Sequence, residues 1–147
     1  MRAAVTRERS PLPFDVNYFR NRAEKGERFT TAEAFAHIYR TNLWAGRDSV
    51  SGEGSGPVQT AVIRRELSDI LKEFNVHVFL DLPCGDFGWM NSMELPVDAY
   101  IGGDIVEDLV RRNGELYGNA KREFMVIDIT GGPLPGADLL FCRDCLV

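Results

Sequence analysis

Asp81, Asp104 and Asp128 stand 23 and 24 residues apart, and each closes a short apolar run. A carboxylate only accepts hydrogen bonds and can take two donors at once, which suits the paired hydroxyls of a ribose. The loop after Asp81, Leu82-Pro83-Cys84-Gly85-Asp86-Phe87-Gly88, is glycine-bearing. Glycines let backbone approach a ligand closely, and a helix N-terminus behind such a loop favours negative charge. Acids and loop each supply one half of a nucleotide site. One such Asp would more often just cap a helix or solvate a strand end. Three in series reverse that balance.

The elements that must position these acids are readable from pattern. Val76 to Asp81, Ala99 to Asp104, Phe124 to Asp128 and Asp138 to Cys142 read as four short strands. Glu107 to Tyr117 reads as a helix with Val106, Leu109, Val110, Asn113 and Leu116 inward. Helix-length connections imply right-handed crossovers and a parallel sheet covered on both faces. In such a sheet the C-terminal strand ends share one crevice, where ligands bind. The predicted fold class is α/β, a Rossmann-like parallel sheet beneath an N-terminal helical cap.

Upstream, Pro11, Pro13 and mixed charges make the first 28 residues irregular, with Phe14, Tyr18 and Phe19 as anchors. Thr30 and Glu33 have capping-box spacing before Phe35, Ile38 and Tyr39. Ser49 to Pro57 is a loop by composition. A second helix is expected from Val58, Val62, Ile63, Leu67, Ile70, Leu71 and Phe74. The expected division is a cap or lid over 1–57 and an incomplete nucleotide-binding half-domain over 58–147. Tyr18, Phe19, Phe29, Phe35, Tyr39 and Trp44 serve either as the packing face of that cap, the preferred reading, or as a lid over a ligand.

The loop Asp81-Leu82-Pro83-Cys84-Gly85-Asp86-Phe87-Gly88-Trp89 resembles motif I of class I S-adenosylmethionine-dependent methyltransferases, commonly Asp-x-Gly-Cys-Gly-x-Gly. Asp81, Cys84 and Gly85 match, whereas Pro83 and Phe87 replace glycines. Gly103-Asp104-Ile105 resembles motif II, which implies that Asp104 binds the ribose and Ile105 packs on the adenine. Asp128-Ile129 resembles the position that meets the adenine amino group. Leu140-Phe141-Cys142-Arg143-Asp144 resembles the segment lining the methyl-transfer pocket, with Arg143 toward the cofactor. Trp44 and the stretch Ser51-Gly52-Glu53-Gly54-Ser55 resemble an N-terminal loop that folds over the cofactor in some bacterial members. The resemblance spans roughly Tyr39 to the end and implies S-adenosyl-L-methionine as cofactor. Cofactor contacts are thereby assigned to Trp44, Ser51, Gly52, Ser55, Asp81, Pro83, Cys84, Gly85, Asp86, Trp89, Asp104, Ile105, Asp128, Ile129 and Arg143.

The chemistry so implied is an in-line displacement in which the protein mainly orients the reactants and excludes water. A base is needed only for a hydroxyl or protonated-amine acceptor. Asp144 is the one candidate in the right segment, and a turn cap or an ammonium contact are alternative roles. The acceptor is unidentified, with a sugar hydroxyl or small metabolite among the options. Two other classes compete: an NAD(P)-binding oxidoreductase, which wants Gly-x-Gly-x-x-Gly, and a non-catalytic interaction module with an altered loop.

Cys142 and Cys145 have Cys-x-x-Cys spacing, with Cys84 on a neighbouring strand, but His37 and His77 are not placed to complete a zinc site. Asp128 with Asp144 falls short of the roughly six oxygens that a hard cation takes. Metal is left unassigned. The net charge of −5, with Lys and Arg scattered, argues against a nucleic-acid partner. No apolar run reaches the roughly 18 residues of a bilayer span, and Met1 to Ser10 lacks the apolar segment of a secretory signal. Three cysteines, an odd number, suit a reduced, cytoplasmic setting.

The resemblance implies a sheet in the order 3-2-1-4-5-7-6, of which the sequence supplies the first four strands. The fourth is then an apolar edge. A fragment of a longer protein is the favoured explanation, ahead of pairing with another copy or subunit and ahead of a truncated form that binds without turnover.

Overall fold

The computed structural model describes residues 15–145. The Met1 to Ser10 stretch, Pro11, Pro13, Phe14 and Val147 lie outside these residues. Four strands, β1 (Val78–Asp81), β2 (Ala99–Asp104), β3 (Arg122–Val126) and β4 (Leu139–Phe141), form one all-parallel sheet in the order β3-β2-β1-β4. Four α-helices accompany it: α1 (Tyr18–Ala23), α2 (Thr31–Thr41), α3 (Ala61–Glu73) and α4 (Glu107–Tyr117). The predicted α/β, Rossmann-like architecture is therefore present, and β2 and α4 have the expected bounds.

The N-terminal boundary of α2 follows from its cap. Thr30 Oγ1 accepts the Glu33 N–H at 3.2 Å, and Glu33 returns a carboxylate to the Thr30 N–H at 2.8 Å. A short α1 occupies part of the stretch expected to be irregular. Its Tyr18 ring stacks on His37 of α2 at 4.4 Å, and neither Tyr18 nor Phe19 is buried.

Alternation along the strands sorts the core into two faces. Phe79, Tyr100, Phe124, Leu139 and Phe141 pack beneath α3 with Leu67, Leu71, Phe87 and Met90. Leu80, Ile101 and Met125 face the other way, against Leu82, Ile127, Ile129 and Leu134. Each fully buried large side chain here contributes about 1.5–3 kcal/mol. Among the described residues the second face carries no helix, because β3 returns to β4 through an irregular connection over 127–138. Leu140 consequently remains 46% exposed on β4, which is an edge strand paired only with β1. The expectation of helices on both faces is corrected.

The β1-to-β2 connection also lacks an α-helix and holds only a 3-10 turn at Met90–Ser92. No helix N-terminus therefore stands behind the Gly85 loop. Phe87 takes the missing helix's place. With φ of +57°, it turns its ring away from the strand ends into the core, 5.0 Å from Tyr100, 5.3 Å from Tyr117 and 5.1 Å from Phe124.

Three further expectations shift. Strand β3 begins at Arg122 and ends at Val126, two residues before Asp128, because charged Arg122 and Glu123 also pair with β2 at this sheet edge. Strands β1 and β4 are shorter than their apolar runs. Helix α3 starts at Ala61, leaving Val58 outside it and Val62 and Phe74 turned to solvent, while Leu116 of α4 is half exposed.

Candidate active site

Strand register sets the floor of the site. Asp81 lies level with Gly102 on β2 and Phe141 on β4, so Asp104 stands two residues further along the same ends. Both acids are buried. Tyr100, near the start of β2, donates its hydroxyl to Asp81 Oδ2 at 2.7 Å. Burial pushes the Asp81 carboxyl up to about 7, with the Tyr100 hydrogen bond opposing and the neighbouring Asp104 charge adding to the rise. Burial raises Asp104 as well, while hydrogen bonds from the backbone amides of Val106, Gly85 and Ile105 oppose it.

The loop after β1 is fastened to β2 and α4. Cys84 N–H donates to the Gly103 carbonyl at 2.8 Å, and Gly85 N–H donates to Asp104 Oδ2 at 3.1 Å. Asn113, a buried amide on the inner face of α4, donates to the Gly85 carbonyl at 2.8 Å. Its sequence signal was a polar residue within the apolar stripe of the helix. The Cys84 thiol is buried, and that burial, with Asp81 and Asp104 nearby, pushes its pKa well up. It is a packed thiol rather than a reactive one.

A strap over 44–55 closes over this loop. Asp86 accepts Ser49 Oγ–H at 2.8 Å and Val50 N–H at 3.2 Å through one oxygen, and Gly88 N–H at 3.1 Å through the other. Ser51 Oγ in turn accepts the Asp86 N–H at 3.0 Å. Gly85, with φ of +56°, leaves no room for a side chain, since a Cβ there would lie 2.5 Å from Ser51 Oγ. The strap is thus built to touch the Gly85 backbone.

Between strap, α2 and strand ends lies a cleft of about 250 Å³. Trp44, Ser51, Ser55, Asp81, Pro83, Cys84, Gly85, Trp89, Asp104, Ile105, Asp128, Ile129, Arg143 and Asp144 all line it. Of the expected contacts, Gly52 and Asp86 are not on its wall. Asp86 spends its carboxylate on the strap, and Gly52 lies under the Trp44 ring, where a Cβ would meet Cε3 at 3.4 Å. Asp128 reaches the cleft from a turn beyond β3. There Thr130 donates both its N–H and hydroxyl to the carboxylate, holding its pKa below the usual range.

Sequence reasoning missed the wall supplied by α2. Phe35, Ile38 and Tyr39 line the cleft together with Val106, Leu109 and Phe141. Tyr39 packs with Val106 and Leu109 as a small core joining α2 to α4. On α2 the two aromatics differ: Tyr39 packs, while Phe35 meets Trp44 edge-on at 6.0 Å. On the opposite wall, Arg143 donates to the Gly54 carbonyl at 2.7 Å and pairs with Asp144 at 3.1 Å.

The Cys142 and Cys145 thiols lie within hydrogen-bonding reach of each other. His77 sits at the N-terminal end of the sheet, paired with Asp98 at 2.7 Å, away from the cleft. All three cysteines are free thiols. Among the described residues no three His, Cys, Asp or Glu side chains converge as metal ligands would, and no helix is long and apolar enough to cross a membrane. A scan against protein-family models finds no match to this chain, and neither does a search of curated proteins.

Proposed function

We propose that this chain binds S-adenosylmethionine in the cleft and forms the cofactor-binding part of a methyltransferase. One observation carries the reading: acids from the ends of β1 and β2 and from the turn beyond β3 line a single cleft, closed by the Gly85 loop and the Trp44 strap. The wall suits such a ligand. Asp104 accepts the Gly85 amide on one oxygen and the Val106 amide on the other, and its carboxylate still faces the cleft, where a ribose hydroxyl can reach it. Ile105, Val106 and Leu109 offer an apolar surface for a flat base, with Asp128 and Ile129 at its rim.

When bound, the cofactor supplies an activated methyl group on a positively charged sulfur. The residues of this chain orient and enclose it. Strap and α2 exclude water from one side, and Trp89, Phe141 and the Arg143–Asp144 pair border the acceptor side. Asp144 is the carboxylate positioned to take a proton from a hydroxyl acceptor, such as a sugar or small metabolite.

An NAD(P)-dependent oxidoreductase fits less well. Dinucleotide folds hold the pyrophosphate on a helix N-terminus behind the first strand, and here that place is a 3-10 turn. Calorimetric titration with S-adenosylhomocysteine and with NAD tests the reading. Binding of the first alone supports it, binding of NAD alone supports the oxidoreductase, and silence from both supports an interaction module.

A further inference from the structure

The cleft has an unbalanced wall. Among the described residues four acids line it, Asp81, Asp104, Asp128 and Asp144, against a single guanidinium, Arg143. That guanidinium is committed to the Gly54 carbonyl and to Asp144. Asp81 is the most enclosed of the acids, 3% exposed at the end of a central strand. Its Oδ2 takes the Tyr100 hydroxyl, and among the described residues no donor pairs with its Oδ1.

The groups around Asp81 are all neutral or acidic. From β2 come Tyr100 and Asp104, and from the following loop comes the Cys84 thiol. On the other side β4 brings only Leu139, Leu140 and Phe141 level with β1. A buried anion without a countercharge is costly, and such a carboxyl holds its proton instead. It gives the proton up when a positive charge enters the cleft beside it.

We infer that Asp81 is a specificity-determining residue of this cleft, selecting a cationic ligand by releasing its proton to solvent as the ligand binds. The inference rests on the reading of the cleft as a S-adenosylmethionine site and adds the charge logic of that site. The exchange balances: a neutral carboxylic acid and a free cation become a carboxylate–cation pair in the cleft and one proton in the buffer. The carboxyl's rise to about 7 places this exchange within reach of neutral pH.

Calorimetric titration of the full chain with S-adenosylmethionine, in two buffers of different ionisation heat, counts the protons. Linkage predicts about half a proton released per ligand at pH 7, and affinity about tenfold weaker at pH 6 than at pH 8. Adenosine, which is neutral, should release none. Asp81→Asn keeps an acceptor for Tyr100 and should bind S-adenosylmethionine without this release. Binding by the parent with no proton exchange at pH 7 overturns the inference and leaves the function standing. Exchange that persists in Asp81→Asn but vanishes in Asp104→Asn also overturns it. Failure of the parent to bind S-adenosylmethionine at any pH overturns both.

Discussion

The Tyr100 hydroxyl donates to Asp81 Oδ2 at 2.7 Å, tying the start of β2 to the end of β1 beneath the cleft. Both side chains are buried, so neither finds water as a substitute partner. Tyr100→Phe should cost about 1–3 kcal/mol in chemical denaturation, the scale for a buried acceptor left unpaired. Because the bond holds the Asp81 carboxyl down, the same variant should move the pH midpoint of ligand binding above about 7.

Asp81 should also shape the stability profile. Its folded pKa lies above the ordinary carboxyl range, so the folded state binds the proton more tightly than the unfolded state. Stability from this group is present at low pH and is lost as pH rises toward about 7. Denaturation midpoints of the parent should fall over that window, and those of Asp81→Asn should stay flatter. Glu33, Asp128 and Asp138, whose pKa values are lowered, act with the opposite sign and lose their contribution only in acid.

Asp86→Ala removes the partner of Ser49 Oγ, Val50 N–H and Gly88 N–H together. Hydrogen exchange should speed up over 49–56 while the amides of β1 and β2 keep their protection. Equal acceleration in both regions would show that Asp86 supports the whole domain rather than the strap.

Gly85→Ala places a Cβ 2.5 Å from Ser51 Oγ at a left-handed backbone position. A loss of about 1–3 kcal/mol is expected from strain and displacement of the strap. Adding Ser51→Gly removes the clash but not the backbone strain, so thermal melts of the double variant should recover only part of the loss.

Asp104→Ala should weaken binding of S-adenosylhomocysteine by about 1–3 kcal/mol. It should also lower the melting temperature, because Asp104 holds the Gly85 and Val106 amides. An Asp104→Ala protein that binds like the parent would rule out the ribose role.

The parallel sheet was legible because short apolar runs ending in Asp81 and Asp104 recur at the spacing of successive parallel strands. The capping box at Thr30 and the bounds of α4 were legible because they depend on neighbours three or four residues away. The end of β3 was not. Its ladder stops where β2 stops, at Asp104 opposite Val126, and that limit belongs to the partner strand.

The site divides along the same line. Sequence by itself determined which residues could meet a ligand at the strand ends, since strand polarity delivers Asp81 and Asp104 to one rim. Only tertiary structure decided that Asp86 latches the strap instead of facing the cleft, that Asn113 clamps Gly85, and that Phe35 and Tyr39 supply a wall. Those roles depend on contacts between residues tens of positions apart, with no periodic signature. Phe87 shows the difference most plainly. As a letter it stands where the resembled motif has a glycine, and in the fold it is the core residue that stands in for an absent helix.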